Sequence, residues 1–503
     1  MIKKEILISI LILLTAWMNE TLAVLDFCLG IAFYYFIFRT IIIYFSRSAV
    51  TQNRLQWILN RYHLFLIIHS AFFILLLIYI DFDILAGRGD WLQYDHYAKI
   101  FANSIINSPG YIPPDPLTGQ VLETIPAGKG YINLIGLIYY IFNDSLILAV
   151  MVNVYFVVTS SIIMYVLLFL LFDQKVARIG LYLSAFFPLF MIYEISLLKE
   201  CFIFFLMNSA LLVTYQYIKN NNLGNLIKML FIFMMIANVR FYLLLPLLVC
   251  IAYSIIANKR IIIVSLATIV LIFITTQDFS SGFVDNISGY TISDYIFKHG
   301  VTIIDPTSPV AKFNYQIKLS DPIQILSALF NNASHFLEQI PLAWSVAWTG
   351  DRIYYVPFLS PQINMDVYRS LTNFVPFFSS VILWSFMFVS LWGLKQIVFN
   401  YTKETSVIWV TLLILPLVNV VFAGNTRYIV VVYYATIACI AYGIVHFRWA
   451  KDYFYFSWVL MFTLILFVNK NAVIFLPIVL TLSTYIVFQL ITWLYKKDKL
   501  FFS

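Results

Sequence analysis

Long apolar runs broken by short polar stretches recur along nearly the whole chain. Runs able to cross roughly 30 Å of hydrocarbon, about 20 residues each, fall at 6–20, 22–45, 63–82, 146–172, 178–195, 199–218, 226–239, 241–257, 261–277, 371–397, 406–423, 427–446, 453–469 and 471–495. Continuous apolar runs of that length have to satisfy their backbone groups internally, which helices do. The pattern predicts an all-α polytopic integral membrane protein with about 14 (12–14) transmembrane helices. The run Tyr131 to Phe142 is too short to span, and counting it would carry Lys175 and Arg178 to the other side. It is expected to be an interfacial or re-entrant helix on the outer face.

The distribution of Lys and Arg sets the orientation. With the N-terminus inside, the inner loops hold Arg47, Arg54 and Arg61, then Lys175 and Arg178, Lys219 and Lys228, Lys259 and Arg260, Lys395 and Lys403, Arg448 and Lys451, and Lys496, Lys497 and Lys499. This satisfies the positive-inside rule with both termini cytoplasmic. The start, Met1-Ile2-Lys3-Lys4-Glu5 before an apolar run, lacks a small-residue cleavage site and is expected to be a retained first span. The chain then divides into an N-terminal hairpin with a basic cytoplasmic loop (1–62), a transmembrane core (63–277) with a first outer loop at 83–145, a large second outer loop (278–370), and C-terminal helices (371–503). Short inner loops beside two enlarged outer ones place the work at the outer surface.

Composition agrees. Hydrophobic residues make up 62% of the chain and charged residues 11%, too little polar surface for a soluble domain of this length. The net charge of +7 is scattered over short loops rather than gathered into a stripe, which excludes a nucleic-acid partner. Cys28, Cys201, Cys250 and Cys439 sit in apolar runs without metal-ligand spacing and read as small core residues. Walker loop, Gly-rich dinucleotide fingerprint and Gly-x-Ser-x-Gly elbow are all absent, so cytosolic nucleotide chemistry is not expected.

Candidate chemistry starts in the first outer loop. In Gly89-Asp90-Trp91-Leu92-Gln93-Tyr94-Asp95-His96-Tyr97-Ala98, helical spacing puts Asp90, Tyr94 and Ala98 on one face with Tyr97 beside them. An acid held at a membrane surface is costly unless paired, solvated or used. Asp90 is the leading catalytic candidate, although it also fits as the cap of a surface helix, and Asp95 is the second. Further polar sites interrupt apolar runs at their outer ends. Lys199-Glu200 can neutralise itself across a tight hairpin or contact substrate. Arg240 and Arg427, the latter followed by Tyr428, suit a phosphate clamp or a snorkelling arginine. Asp351-Arg352 reads as a local pair in the second loop. His63 and His69, on an apolar segment, are expected to be satisfied core residues.

The order of these parts resembles the GT-C superfamily of membrane glycosyltransferases, which includes bacterial relatives of protein mannosyltransferases and aminoarabinose transferases. The resemblance rests on Asp90, Tyr94 and Ala98, on Phe142-Asn143-Asp144-Ser145 as a Phe-Gly-Ser-like turn with Asn-Asp where Gly is usual, on Lys175 to Pro188, on Lys199-Glu200, and on Thr426-Arg427-Tyr428 leading to Tyr442-Gly443. It departs from the family in an extra opening hairpin before Arg47. The resemblance implies transfer of a sugar from a polyprenyl-phosphate donor to a cell-envelope glycan, lipid or protein acceptor at the outer face of the bacterial cytoplasmic membrane. It implies Asp90 as base or metal-associated carboxylate, and a substrate site drawn from Tyr94, Tyr97, Lys199, Glu200, Arg240, Arg352, Arg427 and Tyr428. A divalent metal, Mg or Mn, is compatible with it, and no residue is assigned as a ligand. A surface-polysaccharide polymerase or ligase, as in O-antigen and capsule systems, is the alternative. A lipid-linked-sugar transporter or flippase ranks third, because the charges cluster at the outer ends and no repeat is visible.

Overall fold

The computed structural model describes residues 23–47, 49–79, 90–106, 129–240, 243–256, 301–304, 313–317, 386–399, 402–422 and 432–446, with residues 8, 379, 382 and 383. The expected first span at 6–20 apart from residue 8, the expected spans at 261–277 and after 446, Arg352, Arg427, Tyr428 and most of the second outer loop lie outside the described residues. What is described is predominantly helical. In chain order the helices are α1 (Ala23–Arg47), α2 (Gln52–Tyr79), α3 (Asp90–Ile106), α4 (Lys129–Ile141), α5 (Leu146–Leu171), α6 (Gln174–Ala185), α7 (Pro188–Glu194), α8 (Glu200–Asn220), α9 (Leu223–Arg240), α10 (Leu244–Ile256), α11 (Met387–Phe399), α12 (Ser406–Phe422) and α13 (Tyr433–His446). Inside the segment read as the second outer loop, β1 (Val301–Ile304) pairs antiparallel with β2 (Phe313–Ile317), with a register irregularity at Ile303/Ile304. The β-branched run of β1 and the alternation in β2 suit such a pair.

Among the described residues five helical stretches are long and apolar enough to cross a membrane: Leu25–Arg47, Gln52–Leu75, Leu146–Leu171, Glu200–Asn220 and Leu223–Arg240. The run 178–195, expected as a further span, is instead two short helices. Asp173 caps α6 by accepting from the Lys175 and Val176 backbone N–H groups at 2.7 and 2.9 Å, and the helix stops at Phe186. Pro188, whose fixed φ suits a first helical position, then opens α7. α2 starts at Gln52, ahead of the apolar run at 63–82, so its polar first turns continue the same helix.

The chain divides into two compact units. The first comprises Met1–Leu167, Phe190–Leu244 and Lys259–Tyr295, and the second Leu168–Leu189, Leu245–Asn258 and Ile296–Ser503. In the first unit α5 and α8 are central, with 83% and 89% of their most apolar windows buried, against 28–39% for α1, α2 and α9. Asn208 on α8 donates to the Ser160 hydroxyl on α5 at 2.7 Å. Between apolar helices such a bond supplies specificity that hydrophobicity alone does not, at about 0.6 kcal/mol. Phe156 packs on Phe38, Phe202 and Phe205 around it. The peripheral helices turn apolar stripes outward: Leu223, Ile227, Phe231 and Met234 on α9, and Leu64, Ile67, Ile68, Ile74 and Leu75 on α2. Stripes of that kind fit a lipid face. α8 and α9 form a hairpin closed by three asparagines: Asn220 ends α8, Asn221 takes the left-handed conformation at φ 44°, and Asn222 Oδ1 accepts from the Asn225 N–H at 2.8 Å to cap α9.

In the second unit α11 and α13 approach through Gly393 and Gly443. A Cβ built on Gly443 would strike the Val389 carbonyl, and one on Gly393 the Cys439 carbonyl. Both obstacles are backbone and cannot swing away. Gly443→Ala is therefore expected to lower thermal stability by about 1–3 kcal/mol through overpacking, read as an earlier unfolding midpoint in detergent. Gly224→Ala, whose nearest neighbour is a side-chain oxygen at 3.7 Å, serves as the silent control.

Candidate active site at one end of the helical bundle

Side-chain pairs sort the ends of the first unit. Near one end Tyr44 of α1 lies under the Lys228 ammonium of α9, 4.9 Å from ring centroid to Nζ, and Trp57 of α2 meets Tyr165 of α5. Arg47, Arg54, Lys219 and Lys228 belong to these helix ends. At the other end lie the first turns of α1, α5 and α8 and the last turn of α9, together with α3, α4 and α7. Acids and cations mix here. This is the end that the positive-inside rule assigns to the outer face.

α3 begins at Asp90, as the spacing predicts, and is the helix on which the candidate acid stands. The Tyr94, Tyr97, Ala98 face is not open to the membrane surface. Tyr94 and Tyr97 are each 3% exposed and Ala98 0%, because this face packs on α4. A Cβ on Gly136 of α4 would meet Phe101 at 2.6 Å and the Ala98 carbonyl at 2.8 Å, so the two helices touch through backbone. Tyr94 sets its ring edge-on to Tyr131 of α4 at 5.7 Å between centroids. α4 itself, expected from the run Tyr131 to Phe142, spans Lys129–Ile141 and is one of the shorter apolar helices.

Asp95, the second acid, is committed to its neighbours. Its Oδ1 accepts from the Tyr139 hydroxyl at 2.5 Å and its Oδ2 from the Lys99 ammonium at 2.9 Å. Burial, reinforced by the Asp95 charge, holds the Tyr139 hydroxyl far above its ordinary range, so it donates and stays protonated. In the turn after α4, partial burial pushes the Asp144 carboxyl up, against the pull of Lys99 and with the push of Asp95. Asn143 and Asp144 both have positive φ, 52° and 56°. That is why a turn resembling Phe-Gly-Ser tolerates Asn-Asp in place of Gly: these are the non-glycine residues that visit the left-handed region most readily. Asn143 Nδ2 also donates to Asp26 of α1 at 2.6 Å. Asp144→Val is expected to cost about 1–2 kcal/mol of stability, and Asp144→Gly to cost none, by thermal unfolding in detergent.

Glu200, adjacent to Lys199 in sequence, has a partner from another helix. Glu200 Oε1 accepts from Arg240 Nη2 at 2.8 Å, a pair 40 residues apart joining the first turn of α8 to the last of α9, with side chains 1% and 4% exposed. Lys199 turns to α3, its ammonium 5.6 Å from the Tyr94 ring centroid. It is 4% exposed, and a desolvated cation over an aromatic face is held by about 2 kcal/mol. Tyr94, Tyr97, Lys199, Glu200 and Arg240 thus come together on helices meeting at one end. Asp90 contributes its helix position only. Arg352, Arg427 and Tyr428 lie outside the described residues.

Residues that sequence reasoning passed over complete the cluster. Asn153 of α5 donates to the Ser196 carbonyl at 2.6 Å and accepts from the Tyr131 hydroxyl at 3.4 Å. His69 of α2, expected only as a core residue, is buried and bonded through Nδ1 to Glu194 of α7 at 2.6 Å. Asn153 is an amide in the middle of an apolar run, and Glu194 an acid at the end of one. Those interruptions were the available signal. Among the described residues no three of His, Cys, Asp and Glu lie together as a metal-holding group, and both Asp95 oxygens already have partners. The described side chains therefore do not fit a divalent ion.

No protein-family model matches the chain, and no curated protein does. Two solved structures that match are both of the Archaeoglobus fulgidus oligosaccharyltransferase, one in complex with Zn and sulfate, the other tethered through a disulfide bond to an acceptor peptide containing the NVT sequon. The first is 14% identical with a TM-score of 0.41 over 78% of this chain, the second 12% identical with a TM-score of 0.41 over 81%. The chain spans about half the length of that protein, 48% and 51% in the two alignments. At these TM-scores the likeness carries no weight for the fold or activity of this chain.

Proposed function

We propose that this protein is a membrane glycosyltransferase that moves a sugar from a polyprenyl-phosphate donor to a cell-envelope glycan, lipid or protein acceptor at the outer face of the bacterial cytoplasmic membrane, with both termini cytoplasmic. The observation that carries the reading is the meeting of Lys199, the Glu200–Arg240 pair and the Tyr94 face of α3 at one end of membrane-length helices. A lipid-linked donor offers its phosphate at just such a place, at the boundary between hydrocarbon and water. Cations there recognise the phosphate, and the lipid-facing stripes leave its polyprenyl chain in the bilayer.

In this reading the acceptor hydroxyl oxygen attacks the anomeric carbon and Asp90 takes the hydroxyl proton. The bond from that carbon to the phosphate oxygen breaks, and the polyprenyl phosphate leaves with the bonding electrons. Lys199 and Arg240 stabilise the charge that grows on the leaving phosphate. Arg427 with Tyr428, and Arg352, are proposed to complete the phosphate and acceptor contacts. The role of Asp95 is to hold α3 against α4 through Tyr139, with Lys99 its ion partner one turn along α3 and Asp90 the preferred base.

The test supplies membranes containing the protein with labelled polyprenyl-phosphate monosaccharide and, separately, with lipid-linked oligosaccharide. Transfer of the single sugar to an acceptor is the expected result. Consumption of the oligosaccharide alone, giving longer chains, makes the protein a polymerase and overturns the assignment.

A further inference from the structure

His69 and Glu194 take no part in the chemistry just described, yet both side chains are 0% exposed and their Nδ1 and Oε1 atoms are 2.6 Å apart. A titratable pair enclosed among apolar helices is costly to assemble, so its presence calls for something that it holds. The chain order supplies that object. Glu194 is the last residue of α7, and the turn Ile195-Ser196-Leu197-Leu198-Lys199 leads from it straight into α8.

The turn's own bonds stay between it and the end of α7. The Ser196 N–H and Oγ both donate to the Tyr193 carbonyl, at 3.4 and 3.1 Å, and the Leu198 N–H donates to the Ser196 carbonyl at 2.8 Å. Lys199, the residue before α8, makes no side-chain capping bond. Its anchors come from neighbouring helices: α2 grips Glu194 through His69, and α5 grips the Ser196 carbonyl through Asn153. α7 is only seven residues long, below the length at which a helix sustains itself. Its packing of Phe190 on Phe204, 4.6 Å between centroids, is apolar and non-directional. The His69–Glu194 bond is directional and fixes the rotation at which the chain leaves α7.

We propose that His69 and Glu194 are positioning residues: their pair pegs the 195–199 turn to α2 and so sets where the Lys199 ammonium meets the phosphate of a lipid-linked substrate. Neither residue touches that substrate. The inference rests on the function proposed above for its substrate, and on the turn geometry for its mechanism.

The experiment uses the full chain purified in detergent with two readouts. Leu198→Cys is placed in a Cys28→Ser background, where the other three native cysteines are buried, and its maleimide labelling rate reports the turn without substrate. Transfer from a labelled undecaprenyl-phosphate hexose reports KM and kcat. His69→Ala is expected to raise the labelling rate about tenfold and to lower kcat about tenfold while KM stays within about twofold, because Lys199 moves with the turn away from the charge that develops on the leaving phosphate. His69→Gln and Glu194→Gln, which keep a hydrogen bond across the gap, are expected to restore both readouts. Should His69→Ala not survive purification, Glu194→Asp stretches the same bond by one methylene and is expected to shift both readouts in the same direction.

Unchanged labelling and kcat in His69→Ala or Glu194→Asp overturn the proposal. So do Gln variants that behave like His69→Ala, since the pair would then act through its charge. If the wild type transfers nothing, the proposed function falls, while the labelling difference still decides whether the pair holds the turn.

Discussion

Replacing Asp90 with Asn is expected to cut sugar transfer about 10²- to 10⁴-fold, the usual contribution of a general base, with expression and thermal stability unchanged. The substitution separates the two explanations of this residue. Asp90 opens α3, and Asn caps a helix N-terminus about as well as Asp does, so a purely capping role survives the change. A base does not, because the amide cannot accept the acceptor's proton. Asp90→Ala adds the capping loss, about 1 kcal/mol, and is expected to lower both activity and stability. Asp95→Asn is the companion variant. Its amide oxygen can still accept from Tyr139 while the Lys99 contact is lost. A part-exposed (i, i+4) helix pair of this kind is worth about 0.3–0.5 kcal/mol, so transfer should fall by no more than about a few-fold. Full activity in Asp90→Asn with loss in Asp95→Asn reverses the assignment.

The parts that local rules govern were legible in the sequence. α4 stood out as an apolar run too short to span, and α3 as a helix with Tyr94 and Ala98 on one face. What that face meets was not legible: spacing predicts a shared face, while the α4 glycine that receives it, Gly136, has no local signature in the sequence. The run 178–195 misled because hydropathy sums over the Phe186-Phe187-Pro188 break, where backbone geometry divides it. The partners of the buried charges were out of reach for a different reason. Glu200 sits next to Lys199 and pairs with Arg240, 40 residues away, and His69 finds Glu194 across 125 residues. Electrostatics demands that a buried charge be paired but does not say by whom; the antiparallel closure of α8 on α9 and the packing of α7 on α2 decide that.

Breaking the Glu200–Arg240 pair on one side is expected to be the costliest single change in the spanning helices. Glu200→Met leaves a guanidinium 4% exposed without its carboxylate, a loss of about 3–5 kcal/mol, seen as a lowered unfolding midpoint in detergent and poor recovery from membranes. The mirror change, Arg240→Met, strands the carboxylate and should cost a similar amount. The double variant Glu200→Met with Arg240→Met removes both desolvation penalties together, and well-packed apolar replacements of a buried pair are often neutral or stabilising. Its stability is expected to return close to the wild type, giving a strong favourable coupling in a double-mutant cycle. Activity divides the two roles of Arg240. If the pair only ties α8 to α9, transfer recovers with stability. If Arg240 also faces the leaving phosphate, the double variant is stable and still impaired, with the deficit in kcat rather than KM, because the charge it stabilises develops in the transition state. The second pattern is the expected one, and recovery of transfer in the double variant would leave Lys199 as the one cation of this cluster acting on the phosphate.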